Sequence, residues 1–171
     1  ALTSSTGSTY LWSNGATTQS ISVTTAGSYS VTVTNGSGCS ATSAATSVKV
    51  NTLPTATITA GSATTFCAGG SVNLTSSAGA SYLWSTGATT QSILVSAAGS
   101  YSVTVTNASG CSATSAATAV TVNALPTATI AAGGATTFCA GGSVNLTSSA
   151  GSSYSWSNGA TTQSIIATTA G

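Results

Sequence analysis

Hydrophobic and polar residues alternate along short segments of this chain, and small turn-forming residues separate the segments. Val72 and Leu74 share one side of a segment whose other positions are mostly Asn, Ser and Thr. Tyr101, Val103 and Val105 alternate with Ser and Thr in the same way. A period of two buries one face of a strand and leaves the other face in solvent. The pattern therefore predicts an all-β protein.

Residues 53–124 contain six such segments, separated by turn signals at the spacing typical of a β-sandwich. The first two are predicted at residues 55–60 and 71–76, with a long connection over residues 61–70 between them. The other four are centred on Tyr82 and Trp84, on Ile93 and Val95, on residues 101–105, and on Val120 and Val122. The residues expected in the core of the chain are Trp12, Trp84, Trp156, Tyr101, Val103, Val105, Val72, Leu74, Ile93 and Val95.

The tryptophans have two interpretations. A single tryptophan in a small β-domain either fills the core between two sheets or offers a surface on which a sugar stacks. Trp84 alternates with the other core positions, so a buried position is predicted. Tyr101 follows Ala98 and Gly99, which is the setting of a tyrosine corner, and it is also assigned to the core.

The whole pattern repeats with a constant offset of 72 positions. YLWSNG at residues 10–15 returns as YLWSTG at residues 82–87 and as YSWSNG at residues 154–159. The cysteines and prolines follow the same offset, and a Leu-Pro pair marks the start of each new copy. A gap-free match of this length predicts tandem domains of about 72 residues. The predicted division is a partial repeat at 1–52 lacking its first strands, a complete repeat at 53–124, and a partial repeat at 125–171 lacking its last strands. We expect the chain to be part of a longer array.

Charge is nearly absent from the chain, since it contains one Lys or Arg and no Asp, Glu or His. Paired carboxylates and a Ser-His-Asp triad are therefore excluded. Calcium and magnesium sites need carboxylates, and a nucleic-acid backbone needs a basic patch. No catalysis, cofactor, metal or nucleic-acid partner is expected. No apolar run approaches the length of a membrane-spanning helix.

Comparison of the repeats predicts which positions face solvent. Ser22, Leu94 and Ile166 are equivalent positions that differ in polarity, so we expect them to face outward. Lys49 is equivalent to Thr121, between two inward-facing valines, and the only charged side chain is therefore also expected on the outer face.

Four cysteines fall two to a repeat, and the absence of a C-x-x-C spacing disfavours metal and redox-enzyme sites. The disulfide candidates are Cys67–Cys111 within a repeat, and Cys39–Cys67 with Cys111–Cys139 between repeats. An even number of strands between Cys67 and Cys111 brings both to one pole of a sandwich, and four are predicted. An odd number separates them by about 20 Å, too far to bridge. We predict Cys67–Cys111, with Cys39 and Cys139 pairing outside this part of the array.

The strand count also bears on the ends of a repeat. Six strands in simple alternation return both ends to one pole, whereas a straight fibre needs them at opposite poles. The connection over residues 61–70 is long enough to absorb the difference, and the sequence leaves both arrangements open.

Several motifs together resemble a known class of repeat. They are FCAGGSV at residues 66–72, YLWS at 82–85, GATTQSI at 87–93, AGSYSVTV at 98–105 and GCSAT at 110–114. This set resembles the immunoglobulin-like or PKD-like repeats of very large Bacteroidota surface proteins, including gliding-motility adhesins and other substrates of type IX secretion. The resemblance covers the whole chain. It implies immunoglobulin-like β-sandwich domains, export to the cell surface, and an adhesive or stalk role.

The chain departs from that class at one place. Many such repeats carry Asp or Glu near the second cysteine, whereas Asn35 and Asn107 stand there in this chain. Calcium that stiffens the linkers is therefore not expected. Since the resemblance supplies no catalytic residues, it agrees with the exclusion of an enzyme.

Three functions are compatible with these observations. The first is a structural segment of an extracellular bacterial filament or adhesin stalk, the second is a glycan-binding module, and the third is a passive spacer in a large secreted enzyme. Near-identical repeats favour the first and third. A neutral surface with few charged residues at its strand edges favours association with copies of itself. The predicted partners are therefore further copies, in lateral or helical assembly, with surface glycans as the alternative.

Overall fold

The computed structural model of the chain describes residues 1–168. The prediction of an all-β protein is confirmed, because these residues form strands and no helix. The chain divides into two compact units. The first comprises Ala1–Thr59, Thr75–Ile93 and Tyr101–Ala117, and the second comprises Ala60–Leu74, Leu94–Ser100 and the chain from Thr118 onwards. The predicted domain limits at residues 53 and 125 stay a prediction.

The described residues form nineteen short strands. In chain order they are β1 (Leu2–Thr3), β2 (Thr9–Trp12), β3 (Ser20–Ile21), β4 (Gly27–Tyr29), β5 (Val31–Thr34), β6 (Ser40–Thr42), β7 (Thr46–Val48), β8 (Ile58–Ala60), β9 (Thr65–Cys67), β10 (Val72–Ser76), β11 (Ser81–Trp84), β12 (Ser92–Val95), β13 (Gly99–Tyr101), β14 (Val103–Thr106), β15 (Ser112–Thr114), β16 (Thr118–Asn123), β17 (Ile130–Ala132), β18 (Val144–Ser148) and β19 (Ser164–Ala167).

The first unit contains four antiparallel sheets. Their strand orders are β1-β3, β2-β5-β6, β4-β7 and β11-β14-β15. Trp12 is the register partner of Val31, and Trp84 is the partner of Val103 in the same way. Residues 72 positions apart therefore form the same ladder twice. One core of this unit consists of the buried residues Trp12, Ile21, Tyr29 and Val31.

The second unit contains an antiparallel sheet and a parallel strand pair. The sheet has the order β17-β18-β19, and Val144 is buried on β18. The parallel pair joins β9 to β16, with Val122 opposite Phe66 and Asn123 opposite Cys67. Because β9 and β16 run in the same direction, the chain leaves β16 in the direction in which it passed through β9.

The remaining strands belong to the sheets β12-β10-β8 and β13-β16-β9, the second of which contains the parallel pair. The predicted core residues that are buried in the structure are Trp12, Trp84, Tyr101, Val103, Val105, Val72, Leu74 and Val95, whereas Ile93 and Trp156 are half-buried. Lys49 is exposed, as predicted, and so are Ser22, Leu94 and Ile166.

A tight turn fixes the tryptophan in each repeat. The Trp84 indole Nε1 donates to the Thr90 carbonyl oxygen at 2.7 Å, and the Trp84 backbone N–H donates to the Ala88 carbonyl oxygen. The turn closes when the Gly87 N–H donates to the Trp84 carbonyl oxygen. Gly87 has a φ of 86°, a conformation that glycine adopts without strain. Trp12 and Trp156 make the same indole bond, also at 2.7 Å.

The structure differs from the predicted strand list at four places. The strand predicted at residues 101–105 is divided into β13 and β14. β9 lies inside residues 61–70, which were predicted to be a connection, and β15 was not predicted. The first strand of the complete repeat begins at Ile58 rather than at Thr55. Thr55 and Thr57 are bonded to Ser77 instead, as described below.

Candidate functional site at the repeat junction

The described residues offer little material for chemistry. No three of the potential metal ligands His, Cys, Asp and Glu come together among residues 1–168. The four cysteines are free thiols, of which Cys111 is half-buried and the other three are exposed. No helix in the described part of the chain is long and apolar enough to cross a membrane. Polar side chains converge instead on residues 51–57, which we call the junction segment.

Asn107 holds the start of the junction segment. Its Oδ1 accepts hydrogen bonds from the backbone N–H groups of Ser109 and Cys111, both at 3.0 Å, and so closes the turn between β14 and β15. Its Nδ2 donates to the Thr52 carbonyl oxygen at 2.8 Å. The amide thus uses its acceptor within its own turn and its donor on the junction segment. A carboxylate at this position would supply only acceptors.

Cys111 lies beside the same stretch of backbone. Its thiol is 3.9 Å from the Asn51 carbonyl oxygen, within the range of a weak S–H···O hydrogen bond. The matched residues of the preceding repeat, Asn35 and Cys39, make the same turn but are exposed. Asn107 and Cys111 are half-buried. The pair that contacts the junction segment is thus the less exposed of the two.

Ser77 holds the other end of the junction segment. Its hydroxyl donates to the Thr55 carbonyl oxygen at 2.7 Å and accepts from the Thr57 N–H at 3.2 Å. The Ser77 backbone N–H donates to the Thr57 carbonyl oxygen at 3.0 Å. One serine therefore makes three hydrogen bonds to a short stretch of extended chain. These bonds occupy the backbone just before β8 begins at Ile58.

The same anchor recurs one repeat later, in the second unit. Ser149 donates its hydroxyl to the Thr127 carbonyl oxygen at 2.8 Å and accepts from the Thr129 N–H at 3.2 Å. Its backbone N–H donates to the Thr129 carbonyl oxygen at 2.9 Å. Each of the two described copies of this segment is therefore fastened by the same set of bonds.

The junction is electrically neutral. Its contacts use amide, hydroxyl, thiol and carbonyl groups, and the nearest charged residue in the sequence, Lys49, is exposed. Salt screens such bonds far less than it screens exposed ion pairs. The site therefore holds the backbone of the junction segment in place through uncharged groups.

The described residues also line open hollows. One of about 320 Å³ lies in the second unit and is lined by Ile130, Tyr154 and Trp156 among others. Trp84, which is equivalent to Trp156, is buried in the first unit, where β11 pairs with β14. A second hollow, of about 350 Å³, lies in the first unit between Thr3 and Thr46.

Sequence patterns identified part of this site. They singled out Asn107 as a neutral residue at an acidic position, and Cys111 as a disulfide candidate. The predicted Cys67–Cys111 bond stays a prediction. Ser77 and Thr52 were not singled out, because a chain this rich in Ser and Thr gives a single hydroxyl no distinguishing signal. Ser77 recurs as Ser149 at the repeat spacing, but so do most positions of the chain, and Thr52 is replaced by Ala124.

Comparison with known proteins adds no assignment, since no family model and no curated protein matches the chain.

Proposed function

We propose that the chain is a structural segment of an extracellular bacterial filament or adhesin stalk, without catalytic activity. The observation that carries this proposal is the bonded junction segment. Asn107 and Ser77 fasten Thr52, Thr55 and Thr57 with hydrogen bonds of 2.7 to 3.2 Å. A flexible tether needs no such bonds. A fastened junction suits a protein whose task is to maintain length and direction.

The domains of this segment are proposed to be immunoglobulin-like β-sandwiches, one to each sequence repeat. The Tyr29 hydroxyl donates to the Thr25 carbonyl oxygen at 3.1 Å, four residues upstream. This backward bond is the tyrosine corner of that class of domain. A buried tryptophan, Trp12, packs in the same core as Tyr29. These features support the fold, and the resemblance of the motifs to surface repeats supports export to the cell surface by type IX secretion.

The partners of the segment are proposed to be further copies of itself. On the outer face of β11, β14 and β15, the hydroxyls of Thr104 and Thr114 bond to each other at 2.9 Å. Those of Thr106 and Ser112 do the same at 2.8 Å. Leu83 on this face is 55% exposed. Since the hydroxyls are already paired and no charge lies on these strands, removing water from this face costs little.

The same outer face recurs on β2, β5 and β6. Leu11 is 56% exposed, and the hydroxyl pairs Thr32 with Thr42 and Thr34 with Ser40 are bonded at 2.8 Å. A repeated neutral face of this kind supports side-by-side packing of chains. The glycan-binding alternative has less support, because Trp12 and Trp84 are buried and offer no stacking surface.

Immunogold electron microscopy on intact cells tests the proposal. Antibodies raised against residues 53–124 are expected to label threads outside the cell, at many positions along each thread. Permeabilised cells serve as the control for antigen inside the cell. Label that appears only after permeabilisation, or on dispersed particles in the culture medium, would contradict the filament proposal.

A further inference from the structure

The first cysteine of a repeat lies beside the end of the last strand of that repeat. Cys67 is the register partner of Asn123 in the parallel pair of β9 and β16. The next residue, Ala68, donates its N–H to the Asn123 carbonyl oxygen at 2.8 Å. Cys67 is exposed, so its thiol is open to reaction. The Asn123 carbonyl oxygen therefore marks the position of the first cysteine.

The second cysteine lies beside the same oxygen of the preceding repeat. Asn51 is the residue 72 positions before Asn123 and occupies the equivalent place in its repeat. The Cys111 thiol is 3.9 Å from the Asn51 carbonyl oxygen. If the two junctions are equivalent, the carbonyl group at position 51 or 123 lies near the first cysteine of its own repeat and near the second cysteine of the following repeat.

From this arrangement we propose that consecutive repeats are joined by a disulfide. The second cysteine of each repeat pairs with the first cysteine of the repeat before it. The linked residues are 116 positions apart, which is one repeat of 72 plus the 44 that separate Cys67 from Cys111. At this spacing the partners of all four cysteines fall outside residues 1–171. The inference rests on repeat equivalence and local contacts, and it does not depend on the filament proposal.

Distances within the first unit disfavour a bond inside one repeat. Thr34 pairs with Ser40 in the sheet β2-β5-β6, and Gly27 pairs with Val48 in the separate sheet β4-β7. Seven residue steps separate Gly27 from Thr34, about 23 Å at the rise of a strand. Cys39 precedes Ser40 beside the first pair. Asn51 follows Val48 beyond the second pair, and there the first cysteine of the repeat lies by equivalence with Cys67. Bridged cysteines need Cα atoms within about 7 Å.

The oxidation balances with an ordinary thiol oxidant. Two thiols lose two protons and two electrons as one S–S bond forms. A small-molecule disulfide such as oxidised glutathione accepts the two electrons and two protons and becomes two thiols. The exposed first cysteine is the accessible one for the initial mixed disulfide. The half-buried second cysteine then displaces the small thiol.

Lys49 provides a direct test in the protein isolated from its source. It is the single Lys or Arg of the chain, so trypsin cuts this stretch once, just before the junction segment. Free thiols are first alkylated, and the protein is then denatured and digested without reductant. We expect the pieces on the two sides of Lys49 to stay joined on a denaturing gel and to separate when reductant is added. Pieces that separate without reductant would overturn the proposal.

A second test uses the 171-residue chain itself. Asn51→Cys places a thiol on the residue whose backbone carbonyl oxygen Cys111 contacts, and oxidised glutathione is expected to close a bond between position 51 and Cys111. Lys49→Cys is the matched control, an exposed position two residues away that should form no such bond. Peptide mapping by mass spectrometry identifies the links. The proposal is wrong if Asn51→Cys stays unlinked, or if the parent chain forms a Cys67–Cys111 bond.

Discussion

Gly79 lies just before β11, where the structure leaves no room for a side chain. A Cβ atom built on Gly79 would overlap Cγ1 of Val105 and would lie 3.2 Å from the Thr106 carbonyl oxygen. Val105 has no exposed surface, and its branched side chain has a stiff χ1 torsion. The Tyr82 hydroxyl also bonds to both the N–H and the carbonyl of Gly79, which holds this backbone in place. Gly79→Ala is therefore expected to destabilise the chain.

The magnitude follows from the packing. An added methyl group in a close-packed core costs about 1–3 kcal/mol. Replacing glycine also restricts the unfolded chain, which returns about 0.4–1 kcal/mol. The expected net loss in the free energy of unfolding is about 1–2 kcal/mol. Urea denaturation followed by tryptophan fluorescence measures it, and with a slope of about 2 kcal/mol/M the midpoint should fall by about 0.5–1 M.

Gly151 provides a matched control, since it occupies the same position in the next repeat. A Cβ atom on Gly151 would meet the Ser153 carbonyl oxygen at 3.5 Å and the Tyr154 ring at 3.6 Å, both ordinary contacts. Gly151→Ala should therefore leave stability unchanged or raise it slightly. The packing argument is wrong if the free energies of unfolding of the two variants differ by less than about 0.5 kcal/mol, the usual range for a substitution that meets no packing constraint.

Two further variants test the junction segment and the outer face. Asn107→Asp removes the donor to the Thr52 carbonyl oxygen and should lower the stability of the junction by about 1 kcal/mol. Hydrogen exchange in residues 51–57 should then be faster. Asn35→Asp leaves the bond to Thr52 intact and is the control, so equal exchange in both variants would contradict the assigned role. The double variant Leu11→Ser and Leu83→Ser copies the serine found naturally at residue 155 and should lower self-association in sedimentation velocity. Unchanged sedimentation would exclude the outer face as the packing surface, and Thr86→Asn, a change to the residue found at positions 14 and 158, is the control.

The regular part of the fold could be predicted because period-two alternation is a local signal. It located the core positions on β10, β11 and β14, and the outward position of Leu94. β9 could not be predicted, because three residues that include Phe66 carry no period and their pairing partner, β16, lies more than fifty residues away. Counting strands also could not establish which end of a repeat holds each cysteine. One missed strand changes an even count into an odd one and so moves one cysteine to the opposite end.

The candidate site was harder to predict, because its bonds run from side chains to backbone. Asn107 donates to the backbone carbonyl of Thr52, a group that every residue possesses. The residue type at position 52 therefore does not indicate this bond in the sequence. Ser77 likewise bonds only to backbone atoms of Thr55 and Thr57. Patterns of side chains reveal cores and chemical clusters. They reveal little about contacts whose second partner is the main chain.

The parallel pair of β9 and β16 has a mechanical consequence. A pull on the chain draws β9 toward the start of the sequence and β16 toward its end, so the force runs along the strands. Thr65, Phe66 and Cys67 face Thr121, Val122 and Asn123, and the bonds from Ala68 and Thr121 to the opposite backbone add to the ladder. Under such shear all of these bonds share the load and must break together. Strands peeled apart from one end would instead lose their bonds one at a time, at a much smaller force.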